Sequence, residues 1–512
     1  MLNEFKTIFK QTSIYGLFNI LGKSVGFLML PLYTRYLSPA HYGTLELVEM
    51  TAVIFEVFAN AGIGFAVFKF YHQHVDKAQQ NRVVASAITA SLILHALFAL
   101  GGILCSKSLS MLMFKDPGYQ GYLMLILFRI IVSGPISIGI DYLRILNRAQ
   151  LYGWLSLLRL VSALSMNVFF LVVMEMGVQG VLLSGIISHL LIGIPITIYL
   201  YLHLGFHFDT AKLAPMFKYG MPFIAVLLGQ LVLGFADRFF LQRYATLTEV
   251  GIYSLGYKFG FMVNFLVVSP FLLMWEGKMF EIEKQANAPI MYSRILTYYI
   301  FALAWVALAI TVLIEEITTL MTAPAYFAAA GVVPLIALAY VFNGLQVFFR
   351  LGMLVKNRTG IIGNVTLLQS VVTLGLFWLF IRLWGAWGAA LATVCSFAGI
   401  FVANYFFSQR LYYIRLEWRR LSQIMLAAGI ILGINNLMPA LGFWPALFCK
   451  GGLALSFPLL LVVIGFLSER EKGVLKKIGT RLSRRLPLFF RSNAAQRSAK
   501  LQLRNATHSN QN

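Results

Sequence analysis

The chain has 512 residues, 59% of them hydrophobic and only 12% charged, with a formal net charge of +22. A soluble domain carries about 45–50% apolar and about 25% charged residues, so this composition excludes a water-soluble globule and requires an integral membrane protein. The apolar runs are mostly long enough to cross roughly 30 Å of hydrocarbon as helix and lack the alternation of barrel strands, so the expected class is an all-α polytopic protein.

The first stretch, MLNEFKTIFKQTSIYGLFNILGKSVGFLML, is basic and then apolar, as a signal sequence is. Its apolar part is long and holds Asn19 and Lys23, and no small-residue cleavage site follows, so a retained first span is expected. Spans are expected at about 11–34, 42–70, 83–106, 120–142, 151–174, 179–202 and 216–240. The remainder fall at about 250–276, 292–314, 326–352, 361–383, 386–408, 420–440 and 443–467, fourteen in all. An even number puts both ends on one side of the membrane. With both in the cytoplasm, thirty loop and tail lysines and arginines lie inside against seven outside, the asymmetry that fixes membrane-protein orientation. That distribution, without any recognition element, argues against a nucleic-acid partner. Cys105, Cys395 and Cys449 are odd in number and lie in apolar segments; they read as core residues, with no disulfide framework or metal-ligand spacing.

One turn is written twice. MLPLYTRYLSPAHYGTLELVEM (29–50) is echoed by FFLQRYATLTEVGIYSLGYK (239–258), with Arg35-Tyr36 and Gly43 matching Arg243-Tyr244 and Gly251 at an offset of 208 residues. Gly177-Val-Gln-Gly180 recurs as Gly385-Ala-Trp-Gly388 at the same offset; Asn147-Arg148 and Tyr15-Gly16 recur as Asn357-Arg358 and Tyr219-Gly220. Two parallel six-helix repeats are therefore expected, an N-lobe at 1–205 (spans 1–6) and a C-lobe at 213–410 (spans 7–12). Spans 13 and 14 (411–468) and a basic cytoplasmic tail (469–512) follow. Parallel repeats related by an axis along the membrane normal are typical of transporters that rock around a central site. At the turns themselves, Ser38 with Pro39, and Thr246 with Glu249, have the pattern of helix N-caps.

PLYTRYLSPAHYGTLEL, two six-helix repeats, two further spans and a basic tail together resemble the polysaccharide-export, O-antigen-type flippases of the multidrug, oligosaccharidyl-lipid and polysaccharide exporter superfamily. The resemblance covers the whole chain in architecture and about 15–50 in specific motif. It implies a flippase, not an enzyme, that carries an undecaprenyl-diphosphate-linked oligosaccharide from the cytoplasmic to the periplasmic leaflet of a bacterial inner membrane. It also implies a cationic central cavity, membrane lipids as surroundings, and a polysaccharide polymerase with its chain-length machinery as partners. No cofactor is implied beyond a coupling H+ or Na+.

Charge within the spans gives the candidate site. An ionisable group near the bilayer centre costs about 2.5–3.5 kcal/mol on insertion scales, so it needs a partner, a wet cavity or a function. Lys23, Arg129, Arg159 and Lys258 lie within spans and Arg35 at an outer span end; these are the candidate cations for a diphosphate headgroup. Arg159 also reads as a snorkelling side chain. Glu46, Glu49 and Glu56 fall within an arc of about 80° on span 2. They are candidates for ion pairing with Lys23 or Arg35, or for carrying the coupling ion. Asp237-Arg238 reads as a gate latch or an interfacial pair, Asp141-Arg144 as a local pair, and His95 and His189 as packing residues. Asn505-Ala-Thr507, a glycosylation pattern, falls in the cytoplasmic tail and is discounted.

A cation-coupled drug exporter of the same superfamily is the first alternative, opposed by the turn motif and the extra helix pair. A membrane-embedded polysaccharide polymerase is the second. It requires a sizeable outer loop with catalytic residues, whereas the longest outer segment here is about thirteen residues around Lys107 to Tyr119.

Overall fold

The computed structural model describes residues 26–146, 148–467 and 471. Lys23, Tyr15-Gly16, Asn147, Asn505 and nearly all of the basic tail lie outside the described residues. Every regular element among those described is helical. The chain opens with α1 (Leu30–Tyr36), α2 (Pro39–Asn60), α3 (Ile63–Gln73), α4 (Lys77–Leu104) and α5 (Ser106–Phe114). It continues through α6 (Gln120–Ile145), α7 (Ala149–Val168), α8 (Gly177–Leu204), α9 (Thr210–Tyr244), α10 (Leu247–Val263) and α11 (Ser269–Glu283). The last elements are α12 (Ala288–Met321), α13 (Val333–Phe348), α14 (Leu351–Val355), α15 (Thr359–Leu411), α16 (Trp418–Asn436) and α17 (Phe443–Val463).

Among the described residues, eleven helical stretches are long and apolar enough to cross a membrane. One of them, α15, is 53 residues long and bends at Gly385, so it supplies two crossings. With α16, these account for the expected spans apart from the first, which lies largely outside the described residues.

Local chemistry explains the boundaries. Ser38 caps α2, accepting from the His41 amide at 3.3 Å with Pro39 at the first helical position, and Thr246 caps α10, accepting from the Glu249 amide at 3.2 Å. Each satisfies an amide that a helix start leaves without a partner. Two expectations need correction. The outer segment around Lys107 to Tyr119 is no loop: α5 occupies 106–114, because Ser106, Ser110 and Phe114 recur at helical spacing and bury one face. Cys105, Cys395 and Cys449 are exposed on the helix surfaces instead of buried; a small, weakly polar thiol is tolerated on a face turned to lipid.

The duplicated turns meet each other. A methyl group added to Gly43 would fall onto the Leu247 carbonyl and 2.9 Å from the Gly251 amide nitrogen; one added to Gly251 would fall onto the Pro39 carbonyl and 3.0 Å from the Gly43 nitrogen. The starts of α2 and α10 thus pack backbone against backbone, as small residues allow between membrane helices. The second duplicated motif also repeats in three dimensions. Gly177 and Gly385 both adopt left-handed backbone, at φ 56° and 53°, and Gly180 and Gly388 lie against the carbonyls of Phe170 and Phe380. Only glycine occupies such positions at little cost.

The largest buried cluster joins α2, α6, α10, α12, α13 and α15. The last two helices form a separate cluster with α12. There Trp305 donates to the Ala454 carbonyl at 2.9 Å, and Lys450 lies 2.7 and 2.8 Å from Glu315 and Glu316.

Replacing Gly251 or Gly43 by Ala should lower stability by about 1–3 kcal/mol, the usual range for overpacking a tight contact. Gly429→Ala in α16, where a methyl meets nothing within 4 Å, should change it little or raise it. Thermal-unfolding midpoints of the three purified variants in one detergent check this.

Candidate functional site

The charges on the spans gather in two places. The first is a cavity of about 650 Å³ between α2 of the first half of the chain and α9, α10, α13 and α15 of the second. Glu46, Lys258, Arg238, Tyr257, Asn264, Asn343, Gln346 and Arg350 are among its lining residues. Lys258 on α10 donates to the Glu46 carboxylate at 2.5 Å and to the Tyr42 hydroxyl at 2.6 Å. Both acceptors are on α2, so this ion pair ties together the same helices as the glycine contact.

A ladder of amides runs along the same cavity, beginning at Asn264. The Asn343 amide donates to Asn264 Oδ1 at 3.4 Å, Gln346 to Asn343 Oδ1 at 3.1 Å, and Arg350 Nε to Gln346 Oε1 at 3.1 Å. Asn404 also donates to Gln346 Oε1, at 2.9 Å. Arg350 forms no ion pair among the described residues, so its guanidinium keeps donors free for a ligand.

The second place lies within the first half of the chain, a cavity of about 470 Å³ lined by α1, α2, α6, α7 and α8. Arg129 grips Glu49 through two parallel bonds of 2.8 and 2.7 Å, the geometry that holds a guanidinium–carboxylate pair most firmly. Arg159 lies 3.4 Å from His189 Nε2, while His189 Nδ1 lies 2.8 Å from the Gly185 carbonyl. A ring whose Nδ1–H donates to a carbonyl presents Nε2 as an acceptor, so the arginine donates to a neutral imidazole. His189 is therefore more than a packing residue, whereas His95 is buried and, among the described residues, bonds only to Ser91 of its own helix.

Several candidates sit differently from their placement by sequence. Glu46 and Glu49 do not share one environment: three residues apart on α2, they turn into the two separate cavities, each to its own cation. Glu56 is half-buried and makes no described ion pair. Arg35 is exposed at the end of α1 and pairs with none of the three, because the turn to α2 points it outward. Asp237 and Arg238 are both 2% exposed and paired at 2.9 Å. Tyr253 donates to Asp237 at 2.6 Å, and Arg238 reaches Ser254 and the Gly234 carbonyl, so all their partners are on α9 and α10. Asp141 and Arg144 form their local pair at 3.2 Å. Sequence reasoning missed Arg350 and the amide ladder. Arg350 falls at a span end, where a charge draws no notice, whereas Asn343 and Gln346, three residues apart in an apolar run, are a legible intramembrane polar stripe.

The profile of the family described as polysaccharide biosynthesis protein matches residues 8–274. The chain belongs to that family. Among solved structures, it is similar to the lipid II flippase MurJ in an inward closed conformation, with a TM-score of 0.67 and 13% identity over 91% of this chain and all of that one. It is also similar to an inward-facing multidrug resistance MATE transporter of the MOP superfamily, at 0.59 and 13% over 76% of this chain and 94% of that one. A MOP superfamily transporter from Pyrococcus furiosus, described as having a binding pocket of reversed polarity, matches at 0.53 and 15% over 78% of this chain and 95% of that one. No curated protein matches the chain by sequence. The family member thus has the polytopic fold of these transporters.

Because Asp237 and Arg238 are almost wholly buried, removing one should destabilise strongly, by about 3–5 kcal/mol, through the charge left unpaired. Asp237→Asn and Arg238→Met should each lower the unfolding midpoint sharply, and the double variant should recover part of the loss. Additive losses in that cycle would show that the two side chains do not act as a pair.

Proposed function

We propose that this protein is a flippase that moves an undecaprenyl-diphosphate-linked oligosaccharide across a bacterial inner membrane, from cytoplasmic to periplasmic leaflet, with both termini cytoplasmic. The observation that carries the reading is the first cavity: it lies between the two halves of the chain and presents an arginine that forms no ion pair among the described residues. Its lysine is tied to a carboxylate on the opposite half. A diphosphate requires cations, and a neutral oligosaccharide requires amides and hydroxyls, which is the mixture that Lys258, Arg350 and the ladder bring to the cavity. Family membership and the likeness in fold to a lipid flippase support the same reading.

In this account Arg350 and the amides receive the headgroup, and Lys258 exchanges Glu46 for a phosphate oxygen as the outer contact between α2 and α10 loosens. The two six-helix halves rock about that contact, and the polyprenyl tail stays in the bilayer. Arg35 stands at the outer mouth, and Lys23 remains a further candidate cation on span 1. Arg129 with Glu49 is a structural clamp of the first half, with Arg159 beside it. Glu56, which forms no salt bridge among the described residues, is the candidate carrier of a coupling H+ or Na+. A polysaccharide polymerase and its chain-length machinery would receive the product.

Arg350→Ala and Lys258→Ala should each abolish surface polysaccharide in the native host while protein levels stay intact, and Arg350→Lys should retain part of it. Polysaccharide gels beside immunoblots of the membrane fraction report both quantities. Normal export by Arg350→Ala would remove the cavity from the account.

A further inference from the structure

A third charged pocket lies far from both cavities, where the chain passes from α15 into α16. It has a volume of about 700 Å³ and is formed by the start of α12, the link Tyr413–Glu417 and the first turn of α16. Three guanidiniums line it, those of Arg415, Arg419 and Arg420. Only Arg420 is neutralised: Glu417 and Glu471 lie 3.4 and 2.9 Å away, and Glu417 is held in turn by the Thr297 hydroxyl at 2.8 Å. Arg415 and Arg419 have no acidic partner among the described residues. Glu469 lies outside the described residues, and the stretch from Lys472 to Asn512 contains no Asp or Glu and adds ten lysines and arginines. The local balance is strongly cationic, which favours an anion from outside the chain.

The pocket is built and placed for a particular anion. Ile414 is buried, and its amide and carbonyl are both bonded to the Gln409 side chain, at 2.7 and 2.9 Å, which fixes the link. The first turn of α16 has no side-chain cap, and of the Trp418, Arg419 and Arg420 amides only that of Arg420 is bonded among the described residues, to the Glu417 carbonyl at 2.8 Å; a helix start of this kind favours negative charge beside it. Tyr413 and Trp418, 71% and 69% exposed, flank the arginines. Amphipathic aromatics at the end of an apolar helix sit at headgroup level, so the pocket opens where phosphate is held by lipid.

We propose that this pocket binds the headgroup of an anionic glycerophospholipid, its phosphate taken by Arg415, Arg419 and the α16 amides. The bound lipid fastens the α16–α17 pair to the start of α12. Basic pockets of this kind between membrane helices are suited to acidic headgroups, and the proposal is independent of what the first cavity carries.

The test is native mass spectrometry of the full chain taken from phosphatidylcholine vesicles doped with phosphatidylglycerol. The wild type should retain phosphatidylglycerol in preference to phosphatidylcholine. Arg415→Gln with Arg419→Gln should lose roughly tenfold or more of that preference, and the double Lys variant should keep most of it. Arg358→Ala, an exposed arginine at the start of α15, is the control and should behave as wild type. Equal retention of the two lipids by the wild type, or an unchanged preference in the Gln variant, would overturn the proposal. Displacement of the lipid by millimolar inorganic phosphate would overturn it too, by marking a site for a free anion. Should the Gln variant fail to fold, the wild-type preference and the Lys variant still decide.

Discussion

The structure hangs on a contact in which two copies of one turn touch. Gly43 and Gly251 let the starts of α2 and α10 come together with no side chain between them. Apolar surface gives little driving force between helices in lipid, so close backbone packing and polar links carry more of the association. The polar links follow from the closeness: Lys258 reaches Tyr42 and Glu46 across the same seam, and Tyr326 donates to the Leu37 carbonyl at 2.9 Å. A bulkier pair at the crossing would separate the helices and leave Lys258 without its acid.

That seam also organises the charge. A carboxylate on α2 needs a partner, a wet cavity or a function to sit in hydrocarbon, and α2 finds a cation twice, Glu46 with Lys258 and Glu49 with Arg129. The two solutions differ in what they permit. The Glu49–Arg129 pair is bidentate and lies within one half of the chain, so relative movement of the halves does not disturb it. The Glu46–Lys258 pair joins the halves through a single long side chain, so any separation must break it or give Lys258 another anion. In the proposed cycle that anion is the headgroup. Arg350, at one end of the amide ladder, is the cation still open to a ligand before the seam parts.

The fold was largely legible in the sequence, and the reasons are physical. Span length and the distribution of lysine and arginine follow directly from the bilayer. The glycines at 43, 177, 180, 251, 385 and 388 mark backbone positions that tolerate no other residue cheaply, so the repeat survives there while the surrounding apolar residues have drifted. The site was less legible. Helical periodicity placed Glu46, Glu49 and Glu56 on one arc, but an arc of that width meets two different neighbours, and sequence holds no information about which. Arg350 sits at a span end, where charge is expected in any case, and only the fold shows its side chain turned back along α13 towards Gln346. The exposed cysteines were misread because burial in water and exposure to lipid select the same residue.

Opening of the α2–α10 seam is the step on which the proposed function depends. Beside its rim, Lys115 at the end of α5 reaches the Arg243 carbonyl at the end of α9, at 3.4 Å. Cysteines placed at 115 and 243, with Cys105, Cys395 and Cys449 replaced by serine, allow a short bismaleimide to tie the rim shut. The measurement is translocation of a lipid-linked oligosaccharide in reconstituted vesicles, read by access of an external glycosidase. The account predicts transfer before cross-linking and none after it. Undiminished transfer by the cross-linked chain would contradict it.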